Sequence, residues 1–185
     1  MANFETAIVP LLTNEGGFVD NPNDAGGATN FGISLRFLRE VPADRLRRYG
    51  IFDDPQTLNT TTIRELTIDQ AKLIYKGEFW DQAPFVDIRN PYLCNYIFDM
   101  AVLHGLSTAF KLVQRALWAS KMKYMTLLDD GIMGSKTLRA INEAEPICLQ
   151  KILMAERAGY MRLLVNDHPQ EKEFLNGWLK RCYQE

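Results

Sequence analysis

Glu15-Gly16-Gly17-Phe18, followed by Asn23-Asp24-Ala25-Gly26-Gly27-Ala28-Thr29-Asn30-Phe31-Gly32-Ile33, decides how this chain is read. The first carboxylate stands at the end of a predicted helix. That helix runs from Phe4 to Asn14 and puts Phe4, Ile8, Leu11 and Leu12 on one face. Gly16 and Gly17 suit positions just past a helix C-terminus. A second carboxylate, Asp24, comes nine residues later and the hydroxyl of Thr29 five after that. Between them the Gly-, Asn- and Asp-rich composition predicts an ordered loop, with a short irregular hairpin near residues 18–33.

The pattern suits glycoside hydrolysis, which uses two carboxylates on opposite sides of a cleft. Glu15 would face the negative end of the helix dipole, which disfavours its charged form and raises its pKa, as a general acid requires. The bland alternative is a solvated glutamate before a glycine cap. Asp24 would hold the attacking water or stabilise positive charge, or else serve as an Asx-turn residue. Thr29 would share that water, or bond its own loop. Gly26 and Gly27 would let the backbone pass close to a sugar, or supply positive φ.

Outward from this stretch the chain reads as helices. Ser34 caps a short helix to about Glu40, and residues 42–62 read as irregular. Thr67 with Gln70 forms a capping box for a helix through Phe79. Asn90-Pro91 opens a helix through Leu103 that Gly105 ends, and Ser107 is expected to cap the next, to about Lys121. Helices follow over 136–144 and from Pro146 to Val165, and Pro169 opens a last one reaching Tyr183. No useful period-2 alternation appears, so any sheet is confined to 18–33. The expected class is mainly α, two helical lobes with that small β/loop region.

At 185 residues, 46% hydrophobic and 24% charged, the chain suits a globular protein with one core or two small lobes. A net charge of −2 without a basic run argues against nucleic acid, and gives no general attraction to an anionic wall polymer. The apolar stretches are too short to span a bilayer, and Met1 to Glu5 shows no secretory pattern. Synthesis in the cytoplasm is therefore expected, with another agent carrying the protein to any outside substrate. Cys94, Cys148 and Cys182, odd in number and scattered, read as reduced, buried thiols, and no Cys/His spacing resembles a metal site.

Tyr75, Phe79, Trp80 and Tyr96 would line a sugar cleft, although aromatics at such spacing are more often core. Asp99, in a mostly apolar helix, needs a partner. His104, beside Gly105, reads as a helix-end residue before a catalytic one.

The quoted run resembles the signature of glycoside hydrolase family 108, lysozyme-like N-acetylmuramidases of phages, prophages and bacterial secretion systems. Phe98-Asp99-Met100-Ala101-Val102-Leu103-His104-Gly105 continues the likeness. Asp130-Gly131-Ile132-Met133-Gly134-Ser135-Lys136-Thr137-Leu138, Ala155-Glu156-Arg157 and Phe174-Leu175-Asn176-Gly177-Trp178-Leu179-Lys180-Arg181 are similar to its C-terminal, predicted peptidoglycan-binding segment. The resemblance implies an α+β lysozyme-like fold, with a catalytic segment over 1–103 and a helical wall-binding segment over 104–185. It implies Glu15 as proton donor. The order Glu15, Asp24, Thr29 is similar to the triad of phage-type lysozymes, with one residue fewer between Asp and Thr.

Substrate contacts are then expected from Gly16, Gly17, Phe18, Gly27, Asn30, Tyr75, Trp80, Tyr96, Asp99 and His104. Phe18 stands where the family usually has tyrosine, and His104 where an Asn-Gly pair is usual. The implied partner is the peptidoglycan glycan strand, cut by a monomer without cofactor and delivered by a holin or export system. The alternatives are a lytic transglycosylase and an inactive wall-binding or secretion-accessory protein.

Overall fold

A computed structural model describes residues 2–14, 17–20, 27–121 and 126–183, with the side chains of residues 13 and 14 left aside. Helices dominate: α1 Phe4–Asn14, α2 Leu35–Glu40, α3 Ala43–Arg48, α4 Thr60–Arg64, α5 Ile68–Glu78, α6 Pro91–His104, α7 Leu106–Ser120, α8 Ser135–Glu143, α9 Pro146–Asp167 and α10 Leu175–Cys182. Strands β1 (Thr29–Asn30) and β2 (Ile33–Ser34) form an antiparallel pair, with Thr29 opposite Ser34 and Asn30 opposite Ile33. The protein is mainly α with a small β region, as the sequence leads one to expect.

The caps form where their chemistry dictates. Ser34 accepts from the Phe37 N–H at the start of α2. Thr67 and Gln70 make the reciprocal capping box of α5, and Asn90 accepts from the Leu93 N–H ahead of Pro91 in α6.

Four expectations need correction. The segment 42–62, read as irregular, holds α3 and the start of α4, the latter capped by a box between Asn59 and Thr62. Ser107 is not a cap: α7 begins one residue earlier, with Gly105 as N-cap and no side-chain bond. The last helix is preceded by a 3-10 segment, Pro169–Phe174. Among the cysteines, Cys94 and Cys182 are buried as expected, but Cys148 is exposed.

Contacts divide the chain into Asn3–Ala83 and a second unit running from Pro84 onward, with Ala2. In the first, Leu38, Leu46, Leu58, Ile63, Ala71 and Ile74 are completely buried. Glu78 of α5 accepts from Arg45 Nη1 (2.8 Å) and Tyr49 Oη (2.7 Å), which pins α3 against α5. In the second unit α7 packs on α6 and α9, and α10 on α9. Its core includes Ile97, Phe98, Met100, Val113, Leu117, Leu149 and Leu153. Gln114 ties the loop before α8 to α7: its Nε2 donates to Asp130 Oδ1 (2.8 Å), and its Oε1 accepts from the Gly131 N–H (3.0 Å). Among the described residues no helix is long and apolar enough to cross a membrane.

Candidate functional site

The first unit carries the β1–β2 hairpin. Phe31 (φ 50°) and Gly32 (φ 75°) form its two-residue loop. Positive φ at both central positions is the type I′ turn that matches strand twist, and glycine adopts it without a Cβ clash. Phe31 bears the strain, and the buried Tyr75 holds it there by donating from its hydroxyl to Phe31 O at 2.7 Å.

Thr29 is fixed from two sides. It pairs with Ser34 in the hairpin, and its backbone N–H and C=O each bond Val19 at 2.8 Å. Among the described residues its half-buried hydroxyl donates only a long bond, 3.4 Å, to Gly27 O. Asn30 is 5% exposed, and its Nδ2 donates chiefly to Ile63 O (3.0 Å), with longer contacts to Arg64 O and Leu66 O. It therefore satisfies carbonyls at the end of α4. Phe18, one residue before Val19, lies half-buried with the Arg64 guanidinium carbon 4.7 Å from its ring centroid. Gly17 is exposed, and Gly27 sits at φ 73°. Trp80 is 7% exposed and packs edge-on against Phe4. Glu15, Gly16 and Asp24 lie outside the described residues.

The remaining sequence candidates, Tyr96, Asp99 and His104, lie in the second unit on α6. They converge on a residue the sequence reading did not single out, Arg157 of α9. Arg157 Nη2 donates to Asp99 Oδ2 at 2.8 Å, and Arg157 Nε to His104 Nε2 at 3.1 Å. Its guanidinium carbon lies 5.3 Å from the Tyr96 ring centroid. Arg181 Nη2 takes the other Asp99 oxygen at 2.7 Å. The Arg157 side chain is 1% exposed against 20% for Asp99, so the ion pair is largely withdrawn from water.

Burial, then the Arg157 charge, lowers the His104 pKa to about 3, leaving a neutral imidazole whose Nε2 accepts. Burial pushes the Tyr96 phenol up to about 12, and its hydroxyl donates to Cys182 O at 2.6 Å. Arg157 was legible in principle. It falls in the series Leu149, Leu153, Arg157, Met161, Val165, a four-residue spacing that is otherwise apolar and buried. A charge on such a stripe requires partners.

Comparison with known proteins adds three findings. The family model described as Glycosyl hydrolase 108 matches residues 9–105. A second, described as Predicted Peptidoglycan domain, matches residues 108–183. Among solved structures, Brucella abortus SagA is similar to this chain at 25% identity and a TM-score of 0.73, over 97% of this chain and 88% of that one. No curated protein sequence matches.

Proposed function

Because the chain belongs to the glycosyl hydrolase 108 family, we propose that it is an N-acetylmuramidase, cleaving the β-1,4 bond between N-acetylmuramic acid and N-acetylglucosamine. Together with the peptidoglycan domain match, membership supports a peptidoglycan hydrolase in general terms, acting on the cell wall. The particular bond and the residue roles are the proposal. The observation that carries it is the family match itself, whose span holds Glu15, Asp24 and Thr29 in one short stretch.

In this reading Glu15 protonates the leaving glycosidic oxygen. Asp24 activates water or stabilises the oxocarbenium-like centre, helped by the Thr29 hydroxyl. A fixed Thr29 backbone and a hydroxyl that makes only one long bond among the described residues suit that role. Tyr75 acts from beneath by holding the Phe31 turn. Gly16, Gly17, Phe18, Gly27, Asn30 and Trp80 are assigned to substrate contact. Residues 1–103 would carry catalysis and 104–185 wall binding, Tyr96, Asp99 and His104 serving the latter through Arg157. Delivery by a holin or exporter belongs to the same proposal.

The test is Glu15→Gln beside wild type, on purified peptidoglycan, by turbidity clearing and mass spectrometry of the products. The expected outcome is reducing-end muropeptides from wild type and at least about a 100-fold loss in the folded variant, the scale of a general acid's contribution. Wild-type turnover by Glu15→Gln removes that residue from the mechanism, and anhydro-muramic ends make the enzyme a lytic transglycosylase.

A further inference from the structure

Among the described residues Phe31 is the one non-glycine residue with positive φ. It takes the first central place of the β1–β2 turn, where asparagine ahead of glycine is the favoured pair. Asparagine tolerates that conformation because its short polar side chain bonds the local backbone. A phenylalanine there brings its Cβ against the backbone and has no such bond to offset the crowding.

The turn is held in this state from two sides. Asn30 Nδ2 donates to Ile63 O at 3.0 Å, and Tyr75 Oη donates to Phe31 O at 2.7 Å. Asn30 and Tyr75 are both buried, so the anchors lie inside the first unit. Sparsely populated backbone persists only where its surroundings over-determine it, and such places cluster at active sites and ligand clamps.

Packing does not explain the choice of residue. Ala28, Asn30 and Ile33 of the hairpin are buried, whereas Phe31 stays partly exposed. Among the described residues its ring enters no aromatic pair and lies under no cation. Phe18, one residue before the Val19 that bonds Thr29, already has the Arg64 guanidinium over its ring. Phe31 follows Thr29 by two residues, so its ring belongs to the tip of the hairpin that carries that hydroxyl.

We propose that Phe31 is a substrate-binding residue, its ring an apolar platform for one pyranose ring of the glycan strand. The choice of ligand rests on the muramidase reading. A hexopyranose is polar at its rim and carries apolar C–H groups on its faces, which a free aromatic face can cover. Asparagine would relax the turn and lose that contact. The turn thus gives up stability for binding.

The test uses the full chain and a soluble, peptide-free hexasaccharide of alternating N-acetylglucosamine and N-acetylmuramic acid. Affinity is measured by calorimetry in the Glu15→Gln chain, which leaves the probe intact, with and without a change at Phe31. Phe31→Asn is expected to bind at least about tenfold more weakly, the scale of one good aromatic contact. It is also expected to melt at or above the temperature of its parent, because the favoured turn residue has been restored. Phe31→Tyr keeps the aromatic face and should bind within about twofold of the parent.

Equal affinity of the Phe31→Asn chain and its parent, or no binding by the parent, overturns the assignment. So does a loss in Phe31→Tyr as large as that in Phe31→Asn. A Phe31→Asn chain that melts well below its parent makes the ring a packing residue, and overturns it too. Cleavage of peptidoglycan by the wild-type chain is measured in parallel. Cleavage with affinities indifferent to residue 31 leaves the hydrolase reading standing and the Phe31 assignment overturned, whereas Phe31-dependent binding without cleavage does the reverse.

Discussion

His104 shows how one burial decision sets a pH response. Burial keeps its ring neutral first, and Arg157 second: Arg157 Nε points at Nε2, where a proton would place two cations 3.1 Å apart inside the unit. The folded pKa, about 3, lies below the ordinary 6.5. Between those values the unfolded chain binds a proton that the folded chain refuses. The His104 contribution to stability is therefore complete above about pH 6.5 and is lost as pH falls toward 3. Carboxylates titrate in the same window, so the measurement is a difference. His104→Asn keeps an acceptor for Arg157 Nε but does not titrate. Urea midpoints between pH 7 and 3.5 are expected to fall less steeply in the variant than in wild type. Parallel pH profiles would mean that His104 is protonated in the folded state at little cost.

At the scale of elements, α3 and α5 meet through a contact that only a glycine permits. A Cβ built on Gly77 would strike the Tyr49 hydroxyl and come within 2.9 Å of two ring atoms. Replacing glycine with alanine inside a helix normally gains about 1 kcal/mol of propensity. Overpacking a buried contact costs about 1–3 kcal/mol, and moving Tyr49 also strains its 2.7 Å bond to Glu78. Gly77→Ala is thus expected to lower the urea midpoint by a net cost on the order of 1–2 kcal/mol; a stabilised variant would show that Tyr49 shifts freely. The same pair of elements explains what the sequence left unreadable. Helix α5 announces itself through Thr67 and Gln70 and several buried residues, whereas α3 buries only Leu46 and has no side-chain cap. One buried residue in six has no period, and what holds α3 is a pair of bonds to Glu78, more than 25 residues away. Helix α4 was hidden otherwise, since Thr60, Thr61 and Thr62 are β-branched and read against a helix despite the Asn59 cap. In the candidate site, Thr29 and its hairpin followed from the glycine and asparagine pattern. The partners of Asp99 did not, because Arg157 and Arg181 lie 58 and 82 residues downstream.

For the molecule as a whole, the place where contacts divide and the place where family descriptions divide make different demands on folding. Contacts separate at Ala83 and Pro84, whereas the peptidoglycan domain match begins at residue 108, beyond the end of α6. Helix α6 supplies Asp99 and His104 to Arg157, and its Tyr96 donates to Cys182 O at the end of α10. It also contributes Leu93, Ile97, Phe98, Met100 and Ala101 to the core, none more than 1% exposed. Removing α6 would leave Arg157 buried without its carboxylate, a loss of about 3–5 kcal/mol, and would uncover the faces of α7 and α9 that it packs against. Total stabilities run about 5–15 kcal/mol, so a fragment without α6 has little left. A fragment over 84–185 is expected to melt cooperatively by circular dichroism and to show dispersed NMR shifts. One over 108–183 is expected to be helical at most, without a cooperative transition. A cooperative melt of the shorter fragment would mean that the helices of residues 108–183 hold Arg157 by some other arrangement, and that α6 is not needed to fold them.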